Sequence, residues 1–233
     1  MTTPETRQYG WILDVGCQEY DRVLEWQHGL VTMRQQGLAR DTIMLVEHPP
    51  VITVGKNGHK ENFEGVAVEP QFVERGGDVT YHGPGQLVVY FVFNLTRRGR
   101  DLHRFMDCIQ EGIIRTLADY KVDAKRGGEY TGVWVGEKKI ASIGVAVKQW
   151  ITFHGAAINL NTELSEFERI NPCGLDAKVM TSLQKINGKK IDMKVFGRQL
   201  TGHYAGVFET EFAPVELASL AEALESQAGG YEI

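Results

Sequence analysis

The sequence predicts a single α/β (α+β) domain in which a mixed, largely antiparallel sheet is flanked by helices. Three observations predict it. Apolar residues recur at helical spacing in 19–35, 101–120 and 192–209. Residues 86–95, QLVVYFVFNL, form an almost unbroken β-branched and aromatic run, as in a strand covered on both faces. Residues 131–161 are cut by turn signals at Gly136-Glu137 and near Gln149 into three strands at hairpin spacing, an antiparallel meander. The 233 residues suffice for one sizeable core, and no repeat, linker or low-complexity tract divides them. The expected unit is one catalytic domain, 1–233, with a motif-bearing core over about 40–212 and an acidic segment over about 213–233.

In chain order, Val23, Leu24, Leu30 and Val31 recur among charged neighbours and mark the first helix. A strand follows over 41–47, His48-Pro49-Pro50 breaks it, and 51–54 resumes an extended run ending at Gly55. His48 reads as a turn histidine and His59 as a surface one, because neither has a set of metal-type neighbours at ligand spacing. In 101–120, Leu102, Phe105, Met106, Ile109, Ile113, Ile114 and Leu117 share a helix face, Asp101 caps its start, and Cys108 is a packing residue. On the middle meander strand a strict period of two puts Lys139 with Ala141, Ile143, Val145 and Val147, opposite Ser142 and Gly144. A short helix is expected over 162–169 and a turn at Asn171-Pro172-Cys173-Gly174. A last helix carries Val195, Phe196, Leu200, Tyr204 and Val207, and 214–233 is acidic with helical character.

Charge and cysteine content narrow the function classes. The net charge of -5 divides into -5 over 1–94, +6 over 95–201 and -6 over 202–233. The basic middle, with Arg97, Arg98, Arg100 and Arg104 or Lys185, Lys189, Lys190 and Lys194, suits an acidic partner or a plain solvated surface. An acidic chain without an aromatic-studded basic motif is not expected to bind nucleic acid. No apolar run approaches the roughly 20 residues of a membrane span, and residues 1–9 are polar, so a soluble, cytoplasmic protein is expected. Cys17, Cys108 and Cys173 are far apart and odd in number, which predicts free thiols rather than disulfides or a metal knuckle; no metal is expected.

The densest chemistry lies in 75–86, RGGDVTYHGPGQ, where four glycines let the backbone approach a bound molecule and polar side chains can orient it. The loop lacks a nucleophile. KKIASIG at 138–144 and INPCGL at 170–175 supply a lysine on a strand and a thiol between a proline and a glycine. Sulfur attacks a thioester as thiolate, and a nearby cation raises the thiolate population. Backbone N–H groups at Gly144 or Gly155-Ala156-Ala157 could hold the oxyanion, and the small residues there leave room for an alkyl chain. The same residues also suit an ordinary turn loop, a solvent-reaching hairpin lysine and a buried structural cysteine.

Taken together and in this order, RGGDVTYHGPGQ, KKIASIG, FHGAAINLN and INPCGL, with EHPPVITVG at 47–55, resemble the octanoyltransferases of lipoate biosynthesis, over about 47–183. The resemblance implies the α/β fold of biotin and lipoate protein ligases. It also implies transfer of an octanoyl group from octanoyl-acyl carrier protein to a lysine of lipoyl domains, in 2-oxoacid dehydrogenases and the glycine cleavage H protein, without a cofactor. By the same resemblance Cys173 is the nucleophile and Lys139 promotes its thiolate. The acyl pocket would be lined by Arg75, Gly76, Gly77, Asp78, Val79, Thr80, Tyr81 and His82, by Ser142, Ile143 and Gly144, and by His154, Gly155, Ala156 and Ala157. His82 and His154 would orient its polar end. The alternatives are an ATP-dependent lipoate or biotin ligase, a Cys/His thioester hydrolase and a non-catalytic acyl-binding protein.

Overall fold

The computed structural model describes residues 8–66, 69–127 and 130–228. β1 (Gln8–Cys17) leads into α1 (Tyr20–Gln35), and β2 (Asp41–Glu47) is separated from β3 (Val51–Val54) by His48-Pro49-Pro50. Two consecutive prolines lack the N–H groups a ladder needs, so the chain leaves the main sheet there. β4 (Gln71–Phe72) and β5 (Val79–His82) precede β6 (Gln86–Val92), which stops short of residue 95 because Asn94 caps a 3₁₀ turn over Leu95–Arg98. α2 (Leu102–Asp119) begins where the Asp101 carboxylate accepts the Arg104 N–H at 2.9 Å. β7 (Lys125–Arg126), β8 (Gly132–Val135), β9 (Lys138–Lys148) and β10 (Ile151–Asn159) form the meander. α3 (Leu183–Asn187), α4 (Met193–Val207), β11 (Thr210–Pro214) and α5 (Ala221–Ala228) complete the order.

The main sheet has the order β11-β1-β2-β6-β10-β9-β8-β7, and only the β11-β1 and β1-β2 pairs are parallel. Its two faces are read most directly from β6, where Leu87, Val89 and Phe91 point one way and Val88, Tyr90 and Val92 the other. The first face meets α2 and α4 through Ile109, Ile113, Leu200 and Tyr204. The second meets α1 and α5 through Val23, Trp26, Leu30 and Leu224. Each such side chain, fully buried, contributes roughly 1.5–3 kcal/mol. A second sheet, β4-β3-β5, carries its own core with Phe167 and Met180. The α/β fold with a mixed sheet between helices is therefore as expected.

Several local expectations change. Residues 162–169 hold a 3₁₀ turn, Leu164–Arg169, rather than an α-helix. Strands β1 and β11 were not anticipated. His48 is not a surface turn residue but buried, with Nδ1 2.8 Å from the Gln18 carbonyl oxygen and Nε2 2.9 Å from the Tyr90 hydroxyl. His59 is exposed. Cys17 and Cys108 are free thiols, and among the described residues no helix is long and apolar enough to cross a membrane.

The acidic terminal segment packs as α5 against α1, with Leu224 fully buried. The approach is so close at Gly29 that a Cβ there would strike the Leu224 carbonyl oxygen. Gly29→Ala should therefore lower the unfolding free energy by about 1–3 kcal/mol in urea titrations and expose α5 to proteolysis. Arg22→Ala, which removes the solvent-exposed 3.4 Å pair with Glu225 and a guanidinium 5.1 Å from the Trp26 ring centre, should change it by less than about 1 kcal/mol.

Candidate active site

The register of β6, β10 and β9 lays out a floor in rows. Gln86 faces Asn159, Val88 faces Ala157 and Ser142, and Tyr90 faces Gly155 and Gly144. Arg75–Thr80 and His82 lie over this floor and enclose with it a cavity of about 520 Å³. Its lining changes along the strands: Lys139 beside the bulge, then the small Ser142 and Ala157 with Val88, then Gly144 and Gly155 with Tyr90.

Lys139 enters this cavity because β9 is bulged. Ser142 pairs with Gly132 and Ala141 with Val133, but Lys139 pairs with Trp134, so Ile140 is an extra residue on β9. Ile140 and Ala141 consequently both join the core that holds Ile143 and Val145. A one-residue insertion reverses the side-chain alternation beyond it. The expected placement of Lys139 on the face of Ala141 and Ile143 is thus corrected: it lies with Ser142 and Gly144, lining the cavity, and is 3% exposed. Its stem runs over Gly132, where a Cβ would come 2.7 Å from Lys139 Cε, and its Nζ lies 5.9 Å from the centre of the Trp134 ring. Gly132 has φ +154, and its missing side chain is what admits the lysine.

The turn bearing Cys173, Pro172–Gly174, is tied at both ends. Upstream, the Asn171 N–H donates to the Asn62 carbonyl at 2.8 Å. Asn62 is itself fixed, its side-chain amide donating to Asp78, which also accepts the His59 N–H at 3.1 Å and the Val79 N–H at 2.7 Å. Downstream, the Thr181 N–H donates to the Lys139 carbonyl at 2.9 Å, and the Thr181 carbonyl accepts from Asn159 Nδ2 at 3.1 Å. Pro172 reaches the cavity, whereas the Cys173 side chain lies outside the described part of the structure. The segment after the thiol is thus hydrogen-bonded to the backbone of Lys139 itself.

A buried polar run links the glycine-rich loop to that lysine. Arg75 Nη2 donates to the Thr53 carbonyl at 2.8 Å and to Thr53 Oγ1 at 2.9 Å. Gln86 Oε1 can only accept, so His82 Nδ1, 2.8 Å away, carries the ring proton and His82 Nε2 faces Thr53 Oγ1 at 3.4 Å as an acceptor. Gln86 Nε2 then donates to Asn159 Oδ1 at 3.0 Å, and Asn159 leads to Thr181. Burial, with the charges of His48 and Arg75 as smaller causes, lowers the pKa of His82 to about 3.

At the far end, alternation would turn His154 away from Phe153, yet the two rings are neighbours at 4.9 Å. The reason is a left-handed backbone at His154, φ +58, whose N–H donates to Gln27 Oε1 at 2.7 Å. A Cβ on the next residue, Gly155, would strike the Val89 carbonyl oxygen, so the histidine bears the twist and the glycine the close approach. His154 Nε2 faces Glu74 Oε2 at 3.4 Å, and His28 Nε2 faces Glu74 Oε1 at 3.1 Å. Contact first with His154 and then with His28 holds the Glu74 carboxyl well below the usual range, while burial pushes the pKa of His154 down. Neither ring nitrogen of His154 meets a protein partner in hydrogen-bond geometry, and Nε2 only approaches Glu74 Oε2 at 3.4 Å. Tyr20 stacks 5.8 Å from His82, and Tyr90 lies 6.3 Å from His154. Burial raises the pKa of both tyrosines, so their hydroxyls stay protonated.

Every sequence-expected pocket residue lines the cavity except Tyr81, which alternation turns to the other side of β5, 5.5 Å from Phe167. Ala156 and Ala157 lie inside a strand paired on both sides, so their amides serve the ladders and are not free to bind an oxyanion as expected. Sequence reasoning passed over Tyr20, Glu74, Gln86, Tyr90 and Asn159. The period of two in 86–90 and 155–159 carried the signal for three of them. Among the described residues no group of three or more His, Cys, Asp or Glu side chains could hold a metal ion.

The buried histidines make stability depend on pH. Burial lowers the pKa of His48 from 6.5 to about 4, as it lowers that of His82, so the unfolded chain takes up these protons first. Their contribution is complete above pH 6.5 and is lost as the pH falls toward about 3. That of Glu74, whose pKa is depressed, is lost only below its ordinary 4.5. Urea titrations should show unfolding free energy rising from pH 4 to 6.5, and His48→Gln should flatten that rise by up to about 3 kcal/mol. An unchanged slope would show that His48 is not held neutral by burial.

Comparison with known proteins places this cavity. The Lipoyl protein ligase A/B catalytic domain family matches residues 19–205. An octanoyltransferase of Geotalea uraniireducens is 43% identical over 204 residues, 88% of this chain and 95% of that one. One of Solibacter usitatus is 44% identical over 218 residues, 90% and 96%. Among solved structures, a lipoate-protein ligase A bound with ATP superposes with a TM-score of 0.75 at 16% identity, covering 96% of this chain and 94% of that one. A bi-partite lipoate protein ligase with its E2 lipoyl domain from Thermoplasma acidophilum gives 0.73 at 17%, covering 96% and 92%. The ligase structures speak for the fold alone. With the relatives above 40% identity over most of both chains, they establish that this chain belongs to the octanoyltransferase family, on the lipoyl protein ligase A/B catalytic fold.

Proposed function

We propose that this chain, as one catalytic domain in the cytoplasm, moves an octanoyl group from octanoyl-acyl carrier protein to a lysine of lipoyl domains through a thioester on Cys173. The acceptors would be the lipoyl domains of 2-oxoacid dehydrogenases and the glycine cleavage H protein. The chain is an acyltransferase of protein lipoylation by family. The observation that carries the two-step route is that Lys139, turned into the cavity by the bulge, is hydrogen-bonded through its own carbonyl to the segment following the Cys173 turn.

In the first step the Cys173 thiolate attacks the donor thioester carbonyl, the C–S bond to the carrier breaks, and the Lys139 ammonium protonates the departing thiolate. In the second the neutral acceptor amine attacks the Cys173 thioester, Lys139 takes its proton, and the Cys173 thiolate leaves. The alkyl chain lies over Ser142, Ala157 and Val88, where each methylene removed from water contributes about 0.8 kcal/mol. An ATP-dependent ligase shares the fold but would need no thiol.

Mass spectrometry after incubation with octanoyl-acyl carrier protein, without ATP, should find an octanoyl adduct on the Cys173 peptide. It should be absent in Cys173→Ala and discharged by a lipoyl domain. Transfer that requires ATP and free octanoate, and survives Cys173→Ala, would replace this reading with the ligase one. Lys139→Ala should lower the transfer rate by about 10²–10⁴-fold, and Lys139→Arg, which keeps charge without releasing a proton at neutral pH, should fail to restore it. Full activity of the arginine variant would leave only a charge role.

A further inference from the structure

Leu102, Met106, Ile143 and Val145 line one part of the cavity, but beside Gly144, Gly155 and Tyr90 it meets His154, whose Nε2 lies 3.4 Å from Glu74 and whose N–H is held by Gln27. Along β9, Lys139 and Gly144 both line the cavity and are five residues apart, one of them the bulge, roughly 13 Å at the rise of a strand. An extended eight-carbon chain on a cysteine side chain spans a comparable distance. Resting on the reading that the chain is anchored at Cys173, we infer that His154, with the Tyr90 ring 6.3 Å from it, is the stop that sets acyl length at eight carbons. Gln27 and Glu74 act through His154 as positioning residues.

The stop is hard for a specific reason. His154 reaches the cavity only through its left-handed backbone, and that conformation is held by the N–H bond to Gln27. Its ring is fixed between Phe153 and Tyr90, with Nε2 against Glu74. A longer chain must displace the ring, strip a buried N–H of its acceptor and separate the Glu74 contact. Burying one more methylene returns less than one such unmet group costs. A shorter chain leaves a gap before the stop and loses burial for each missing methylene. The two ring nitrogens of His154, neither in hydrogen-bond geometry with a protein partner, keep this end of the cavity polar and so unfavourable for further hydrocarbon.

The backbone supplies a clean test, since glycine and asparagine both tolerate a positive φ. Wild type, His154→Gly, His154→Asn and Gln27→Met are given C8, C10 and C12 acyl carrier proteins, and product is measured on a lipoyl domain by mass spectrometry. The C10-to-C8 ratio should rise at least tenfold in His154→Gly, less in His154→Asn, and a few-fold in Gln27→Met, where the ring remains but its hold is weakened. A general loss of structure would lower all chain lengths together and leave the ratio alone. Ratios within twofold of wild type in folded variants overturn the proposal, and if His154→Gly does not fold, the other two variants decide. The Cys173 adduct in the wild type is scored separately, so failure of the thioester reading is distinguishable from failure of the stop.

Discussion

At Ile140 β9 carries one residue more than β8 opposes, and the side chain before that point changes face. Strand alternation admits no intermediate: Lys139 either joins the core of α2 and α4 or stands in the cavity. The rest of the site is arranged around the second outcome. Gly132 gives up its side chain to the lysine stem, Trp134 flanks it, and the Lys139 carbonyl, at the end of β10, takes the Thr181 N–H instead of a strand partner. The segment that follows the Cys173 turn is thus hydrogen-bonded to the lysine's own backbone at Thr181.

The cavity is lined by groups that would ordinarily resist burial. Arg75 and His82 line it, and with Gln86 and Asn159 they are each over 90% buried; Arg75 and His82 meet at Thr53, His82 donates to Gln86, and Gln86 donates to Asn159. An unmet buried polar group costs more than a met one contributes, so such a network holds its shape strongly. Keeping His48 and His82 neutral also spares the cavity two positive charges that an apolar chain could not compensate. The fold is similar to that of a lipoate-protein ligase A bound with ATP, and a shared fold does not by itself fix the chemistry of the site.

Much of this was legible in the residues. Helical periodicity located α1, α2 and α4, and the turn signals divided the meander correctly, because those features rest on local spacing and local backbone preference. The glycine-rich loop, KKIASIG and FHGAAINLN did meet in one cavity. What failed was decided by partners distant in sequence. The bulge that turns Lys139 exists only in the pairing of β8 with β9, and the burial of His48 depends on Tyr90 and Gln18. His154 broke the alternation because a side chain from α1 captured its N–H. Glu74 stood one residue before a motif and had no local pattern to mark it.

β1 is held between β2, which follows it within 30 residues, and β11, which pairs Gln8 with Thr210. During synthesis its inner edge finds a partner early, while its outer edge must wait for Thr210–Pro214, far along the sequence. A strand edge in that state is an open template for another molecule. The brief parallel ladder over Thr210–Pro214, with α5 seated on α1 just after it, closes that edge last. The acidic segment, none of whose described residues lines the cavity, is in this sense the clasp of the fold.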